Sequence, residues 1–147
     1  LVEFDGSTRN NIVQPASDAD GAMWNILKDV DDPDESRRYK ALGYGYGVTS
    51  SLEVFTPGDM GVCVAISPDG LRWTEPHMVI GAREMTDADC MLPIRDPDTG
   101  TWVAFMRPRT GPKRRFLGYS TSDDFERWTD PRMLLTPAAG DDEGEEF

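Results

Sequence analysis

The stretch "SPDGLRWTEP", Ser67–Pro76, is written again 55 residues later as "SDDFERWTDP", Ser122–Pro131. Ser67 matches Ser122, Asp69 matches Asp124, Arg72 matches Arg127, Trp73 matches Trp128, Thr74 matches Thr129 and Pro76 matches Pro131. A chain that repeats a decapeptide repeats the structure around it. Periods of a few tens of residues mark propellers, solenoids and arrays. The agreement extends upstream, where "DPDESRRYKAL" from Asp32 precedes the first copy and "DPDTGTWVAF" from Asp96 precedes the second. Both open on an Asp-Pro-Asp turn signal. Both run into a short strand-like segment with an aromatic, Tyr39 or Trp102. The turns lie 64 residues apart and the tryptophans 55, so the loops vary while the strands persist.

The strands can be read between these marks. The first set is "MWNILKDV" (Met23–Val30), "YKALGYG" (Tyr39–Gly45), "GVCVAIS" (Gly61–Ser67) and "HMVI" (His77–Ile80). The second is "CMLPIR" (Cys90–Arg95), "TWVAFMR" (Thr101–Arg107), "RRFLGYS" (Arg114–Ser120) and "RMLLT" (Arg132–Thr136). Short strands bounded by Gly, Pro, Asp and Ser are the all-β signature. No long window carries a helical stripe. Four strands per unit of about 60 residues make a propeller blade. The expected fold is therefore all-β: a β-propeller segment with blades over 23–80 and 87–136. Residues 1–22 would end a preceding blade, and 137–147 would begin the next. The decapeptide then connects the third and fourth strands. Its Asp and Gly turn the chain, its Trp covers the blade, and its Pro opens the outer strand, where a missing N–H is tolerated. Trp73 and Trp128 are read as packing residues.

Composition narrows the function. The 147 residues hold 15 Lys and Arg against 27 Asp and Glu, a net charge of -12. Such a surface repels phosphate backbones and anionic membranes, so neither nucleic acid nor membrane is an expected partner. No apolar run approaches the roughly 20 residues of a membrane-spanning helix, and no signal-peptide pattern is visible. The composition suits a soluble protein, with localisation open and export to the periplasm or medium among the options. Cys63 and Cys90 form no CxxC pair and read as small core residues, with a disulfide between them left open. The single His77 leaves no His-based metal cluster and no Ser/His/Asp triad. No metal or cofactor is expected.

The ordered set "NNIV", "DPDESRRYKAL", "SPDGLRW", "DPDTGTWVAFMR", "RRFLGYSTSDDFERWTDP" and "DDEGEEF" spans nearly the whole chain. It resembles the five-bladed propeller glycoside hydrolases, the clan of invertases, levansucrases and arabinanases (families 32 and 43), through their bacterial relatives. Those relatives continue "GDDEGEEF" with Tyr-Gly. Together with Leu1 in first place, this implies a segment completed by the rest of a propeller or by a second chain. A competing resemblance is to sialidase-type propellers with their S-x-D-x-G-x-T-W box. Here the Ser-to-Trp spacing is one residue shorter, and Arg72 or Arg127 stands before the Trp.

The clan resemblance implies carbohydrate as the partner and one inner-strand acid in each of the first three blades. Two carboxylates cleave a glycosidic bond, one as acid and one as base or nucleophile. Counting back seven residues from each Asp-Pro-Asp turn gives Asn25 and Asp89, and Glu146 follows Trp128 by 18. Asp89 and Glu146 are the implied catalytic pair. Asp89 stabilises the transition state and tunes the acid, and Glu146 is the general acid. Asn25 departs from the pattern, because an amide is no base. Asp18, Asp20 or Asp29 could supply one, or the protein could bind sugar without cutting it. Trp24 could stack on a sugar or pack in the core, and Arg107 could reach a hydroxyl or stay solvated. The plain alternatives are that Asp89 is a solvated turn residue and that Glu146 belongs to an acidic tail. Asp32, Asp34, Asp96 and Asp98 read as turn formers, although "RDP" at Arg95–Pro97 resembles an invertase motif.

Overall fold

The computed structural model describes residues 6–9, 23–46, 60–81, 89–107, 109–110 and 114–135, and for a few strand-end residues, Trp24 and Asp89 among them, the backbone alone. Two four-stranded antiparallel sheets form, each in chain order. The first is β1 (Met23–Lys28), β2 (Tyr39–Tyr46), β3 (Met60–Ser67) and β4 (His77–Gly81). The second begins with β5 (Asp89–Arg95) and β6 (Trp102–Arg107). A small hairpin follows, β7 (Arg109–Thr110) with β8 (Arg114–Arg115). The sheet resumes with β9 (Leu117–Ser122) and ends with β10 (Arg132–Leu135). The expected strand Arg114–Ser120 is thus split. Its first two residues close the hairpin, and the sheet strand proper runs on to Ser122.

Each decapeptide is folded by its own side chains. In the first copy, Ser67 Oγ accepts from the Asp69 and Gly70 N–H groups at 3.2 and 2.8 Å. Asp69 Oδ1 accepts from Leu71 and Arg72 N–H at 2.9 and 2.8 Å. In the second, Ser122 serves Asp124 and Phe125 at 3.3 and 2.8 Å, and Asp124 serves Glu126 and Arg127 at 2.9 and 2.8 Å. Serine and aspartate are the residues that bond nearby backbone N–H groups in this way. Each indole N–H then returns to a carbonyl three residues back, Trp73 to Gly70 and Trp128 to Phe125. Pro76 and Pro131 stand immediately before β4 and β10.

One of the four differences between the two copies carries a cost. The fourth residue has positive φ in both copies, 75° at Gly70 and 68° at Phe125. Glycine tolerates that region, whereas a bulky side chain there is an outlier. Phe125 is held there by burial. It is fully buried and meets Trp102 and Trp128 edge-to-face at 5.1 and 5.5 Å. In the first copy the Tyr39 ring occupies the equivalent space, 3.3 Å from where a Cβ on Gly70 would lie.

Ladder register shows which residues correspond between the sheets. Lys28 faces Tyr39 in the first, and Arg95 faces Trp102 in the second. Asp29 N–H then bonds Arg38 O at 2.8 Å, as Asp96 N–H bonds Thr101 O at 2.9 Å. Asp96-Pro97-Asp98 therefore follows its strand at once and turns through Gly100 at φ 75°. Asp32-Pro33-Asp34 lies three residues further on, in a longer connection whose 3-10 turn (Glu35–Arg37) is capped by Asp34. The two Asp-Pro-Asp turns are not equivalent, and counting back from them misplaces β1 by three residues. Asn25, opposite Leu42, corresponds to Leu92, opposite Phe105. Asp89, opposite Arg107 and before a bulge, corresponds to Met23, opposite Tyr44.

The sheets stack front to back. Leu42, Val62, Val64, Ile66 and Ile80 from the first share one core with Met91, Trp102, Ala104, Met106 and Phe125 from the second. Large aliphatic side chains on one face settle onto a face with alanine, glycine and serine at its centre, which gives interior-like packing.

Replacing Phe125 with alanine removes its ring and keeps the backbone strain, so we expect a loss of about 3–5 kcal/mol. Phe125→Gly should cost less than Phe125→Ala, reversing the usual order, because glycine relieves the left-handed conformation. Gly70→Ala should cost about 1–2 kcal/mol. Urea titration of the three variants checks the ranking.

Candidate functional site

The β1–β2, β3–β4, β5–β6 and β9–β10 connections all leave the sheets at one end. There the chain buries charge. Lys40 lies on β2 with its side chain 1% exposed. Its ammonium donates to Asp32 at 2.7 Å and to Arg37 O at 2.8 Å, and pairs with the Asp29 carboxylate at 2.9 Å. Arg95 reaches from β5 to the other oxygen of Asp29 at 3.3 Å and lies over the Trp102 ring at 5.6 Å. Arg37 holds Asp32 at 3.4 Å and crosses to the second sheet, donating to Glu126 at 2.5 Å and Asp124 O at 2.7 Å.

This arrangement ties the first sheet's turn to the second decapeptide. Burial opposes ionisation of Asp32, but the Lys40 ammonium, the Asp34 N–H and Arg37 outweigh it and hold the carboxyl below its usual value. At Asp124 burial is likewise outweighed, by the Arg127 N–H and guanidinium and the Glu126 N–H, and the pKa falls to about 2. Asp69 is lowered chiefly by the Arg72 and Leu71 N–H groups, and Asp96 by the Thr99 hydroxyl and the Asp98 N–H. Asp32, Asp34, Asp96 and Asp98 thus sit in turns as expected. Arg95 of the "RDP" stretch spends its guanidinium on Asp29 and Gly100 O. Asp29, one of the candidate bases for the first position, is 7% exposed and committed to Lys40 and Arg95. It lies at the opposite end of its strand from the Asp89 level, so it does not fill that role.

An open cleft of about 560 Å³ lies beside the tie, lined by Asp34, Arg37, Arg72, Trp73, His77 and Glu126 among others. Its charged lining holds two acids and two arginines, with Arg37 paired to Glu126, so it concentrates neither sign of charge.

The opposite end holds the sequence-derived candidates. Asp89 opens β5 and faces Arg107, the last residue of β6, across the ladder. Arg107 is half-buried and engaged within the fold. Asn25 is half-buried on β1, and its amide donates across the sheets to Met91 O, two residues beyond Asp89. Asn25, Asp89 and Arg107 are therefore brought to neighbouring levels where β1 and β5 meet. Glu146, Asp18 and Asp20 lie outside the described residues, as do the side chains of Trp24, Asp89 and Cys90. Cys63 is buried, and burial pushes its thiol up to about 12, so it is no nucleophile at neutral pH.

Sequence reasoning missed Lys40, Arg37 and Glu126. The available signal was a lysine sharing the strand alternation of Leu42 in "YKALGYG", which puts a cation on a core face.

No known protein family matches the chain, and no curated protein does. Among the described residues no helix is long and apolar enough to cross a membrane.

Removing Lys40 alone leaves two buried carboxylates short of a partner. We expect Lys40→Met to cost about 3–5 kcal/mol, against under about 0.5 kcal/mol for the exposed Arg72→Ala. Denaturant midpoints of both variants check this. Acid should weaken the fold in a defined window. The lowered carboxyls contribute stability above the usual carboxylate value of 3.8, and the Asp124 share is lost as pH falls toward about 2. Melting temperature should therefore drop between about pH 4 and pH 2, and Asp124→Asn should flatten that slope. An unchanged slope would contradict the assignment.

Proposed function

We propose that the two sheets are adjacent blades of a five-bladed propeller of the glycoside hydrolase type. In this reading carbohydrate binds where β1 and β5 meet, at the Asp89 end. One observation carries it: Asp89 opens the first strand of its sheet, opposite Arg107, at the level where Asn25 reaches across from β1. Inner strands of successive blades line a shared channel in such a propeller. An aspartate, an arginine and an asparagine at neighbouring backbone levels there supply the residue types that recognise sugar hydroxyls. The repeated meander and repeated decapeptide support the blade reading.

The proposed chemistry is cleavage of a furanoside or similar glycosidic bond. Asp89 stabilises the positive charge that develops on the sugar and raises the pKa of the acid, and Glu146 protonates the leaving oxygen. Asn25 and Arg107 orient hydroxyls, and Trp24 is the candidate stacking surface.

A second reading is a propeller that binds carbohydrate without cleaving it. Register favours it at one point: the residue corresponding to Asp89 on β1 is Met23, which can be neither base nor nucleophile.

The test is product release from a panel of furanoside and pyranoside oligosaccharides, with sugar binding followed by calorimetry. For the hydrolase, Asp89→Asn should lower turnover at least about 100-fold with an unchanged melting temperature. Saturable binding with no product from the parent chain would select the binding propeller. Turnover by Asp89→Asn at the parent rate would remove Asp89 from the site.

A further inference from the structure

The chain carries -12 overall, yet five of its 15 Lys and Arg stand in the nine residues "RPRTGPKRR", Arg107–Arg115. No Asp or Glu occurs from Thr99 to Ser122. Elsewhere the fold sets an acid beside the cation. Lys40 has Asp29 and Asp32, Arg37 has Asp32 and Glu126, and Arg95 has Asp29. Arg72 and Arg127 each have the aspartate three residues before them. The nine-residue stretch brings no such acid of its own. Asp89 stands opposite Arg107 where it begins, and four further cations follow in the chain. Topology places the stretch. Arg107 ends β6, and Met106 stands opposite Gly118 of β9. The β7–β8 hairpin connects these two strands, so it leaves the second sheet at the Asp89 end, away from the ionic tie. In its ladder Arg109 is opposite Arg115, and Thr110 is opposite Arg114. Like charges at directly opposed ladder positions destabilise strand pairing, and an isolated two-stranded hairpin is marginal to begin with. An anion shared by the two arginines removes that penalty.

We infer that the carbohydrate taken at the Asp89 end is acidic, an oligosaccharide whose carboxylates or sulfates are held by Arg109, Arg114 and Arg115 of the hairpin. The inference rests on the reading that carbohydrate binds at that end, and it names the substrate class. Arginine is the residue type suited to oxyanions, because its planar fork donates two parallel hydrogen bonds to paired oxygens. The juxtaposition is the ground for it: an arginine-paired hairpin emerges two residues after Arg107, at the level where Asp89 and Asn25 stand. A neutral sugar gives such a concentration of cations nothing to do. A nucleic-acid backbone offers oxyanions too, but it extends beyond nine residues onto a surface that is acidic overall, where it is repelled. A short acidic sugar needs only the local patch.

Calorimetric titration of the 147-residue chain with four probes of equal length tests this: a uronic-acid oligomer, its carboxyl-reduced neutral form, a sulfated oligomer and a single-stranded oligonucleotide. At least one acidic oligomer should bind at least about tenfold more tightly than the neutral form. That preference should shrink as salt rises from about 50 to about 500 mM. Whichever acidic oligomer binds more tightly identifies the acid. Arg109→Gln and Arg115→Gln should each lose the preference at an unchanged melting temperature, and Arg72→Gln, exposed at the ionic end, should keep it. If one hairpin variant fails to fold, the other variant and the salt series of the parent chain still decide. Equal affinity for neutral and acidic oligomers would overturn this inference and leave carbohydrate binding at the Asp89 end standing. Binding of no oligosaccharide at all would overturn both. An oligonucleotide bound as tightly as the acidic oligomers, or a preference indifferent to both arginine variants, would also overturn the inference.

Discussion

The joint between the two sheets depends on one buried ammonium. Lys40 is a strand residue whose alternation sends it into the core, and an ammonium there is tolerated only when fully paired. Asp29 and Asp32 provide that pairing from the connection that follows β1. Holding them requires the longer turn, its 3-10 segment and its Asp34 cap. The same turn presents Arg37 to Glu126 and the Asp124 carbonyl of the neighbouring sheet. The second decapeptide must keep its shape to receive that guanidinium, and its shape is set by Ser122 and Asp124. Apolar packing holds the sheets together, and this charge pairing fixes how far one slides on the other.

Two equivalent units therefore do different work at equivalent places. The first decapeptide has Gly70 where the second has Phe125, and Tyr39 supplies the ring that Phe125 supplies in the other. The first sheet's turn is long and ionic, and the second's is a short Asp96–Gly100 turn. The ionic end is a structural end. Asp29, Asp32, Asp34, Asp69, Asp96 and Asp124 there are paired or serve backbone N–H groups, and Lys40, Arg37 and Arg95 are held by carboxylates. The opposite end, where β1 and β5 meet, is where Asn25, Asp89 and Arg107 come to neighbouring levels. That division is the physical reason for reading function there.

Much of the architecture was legible in the sequence because repetition is visible to inspection. The all-β class, the two four-stranded sets and the role of the decapeptide follow from Ser67, Asp69 and Trp73 recurring as Ser122, Asp124 and Trp128. Two things were not legible. The register between the units was misread, because Asp32-Pro33-Asp34 looks like Asp96-Pro97-Asp98. A turn signal states that the chain reverses, but not how many residues separate it from the strand. The ion cluster was not legible either, because its partners come from separate segments. Lys40, Arg95 and Glu126 meet only after the sheets stack. Of the site, the sequence singled out Asp89 and Arg107 separately; that they stand opposite each other in the ladder, and that the counterpart of Asp89 on β1 is Met23, became known only from the register.

The central functional claim is one of place: carbohydrate is recognised at the Asp89 end and not in the cleft at the ionic end. Mapping backbone amide shifts by nuclear magnetic resonance while titrating an oligosaccharide tests this most directly. The account predicts perturbation of Asp89 to Met91, of Arg107 and of the Asn25 side-chain amide, with Trp73 and His77 unmoved. Shifts confined to Trp73, His77 and Glu126 would contradict it.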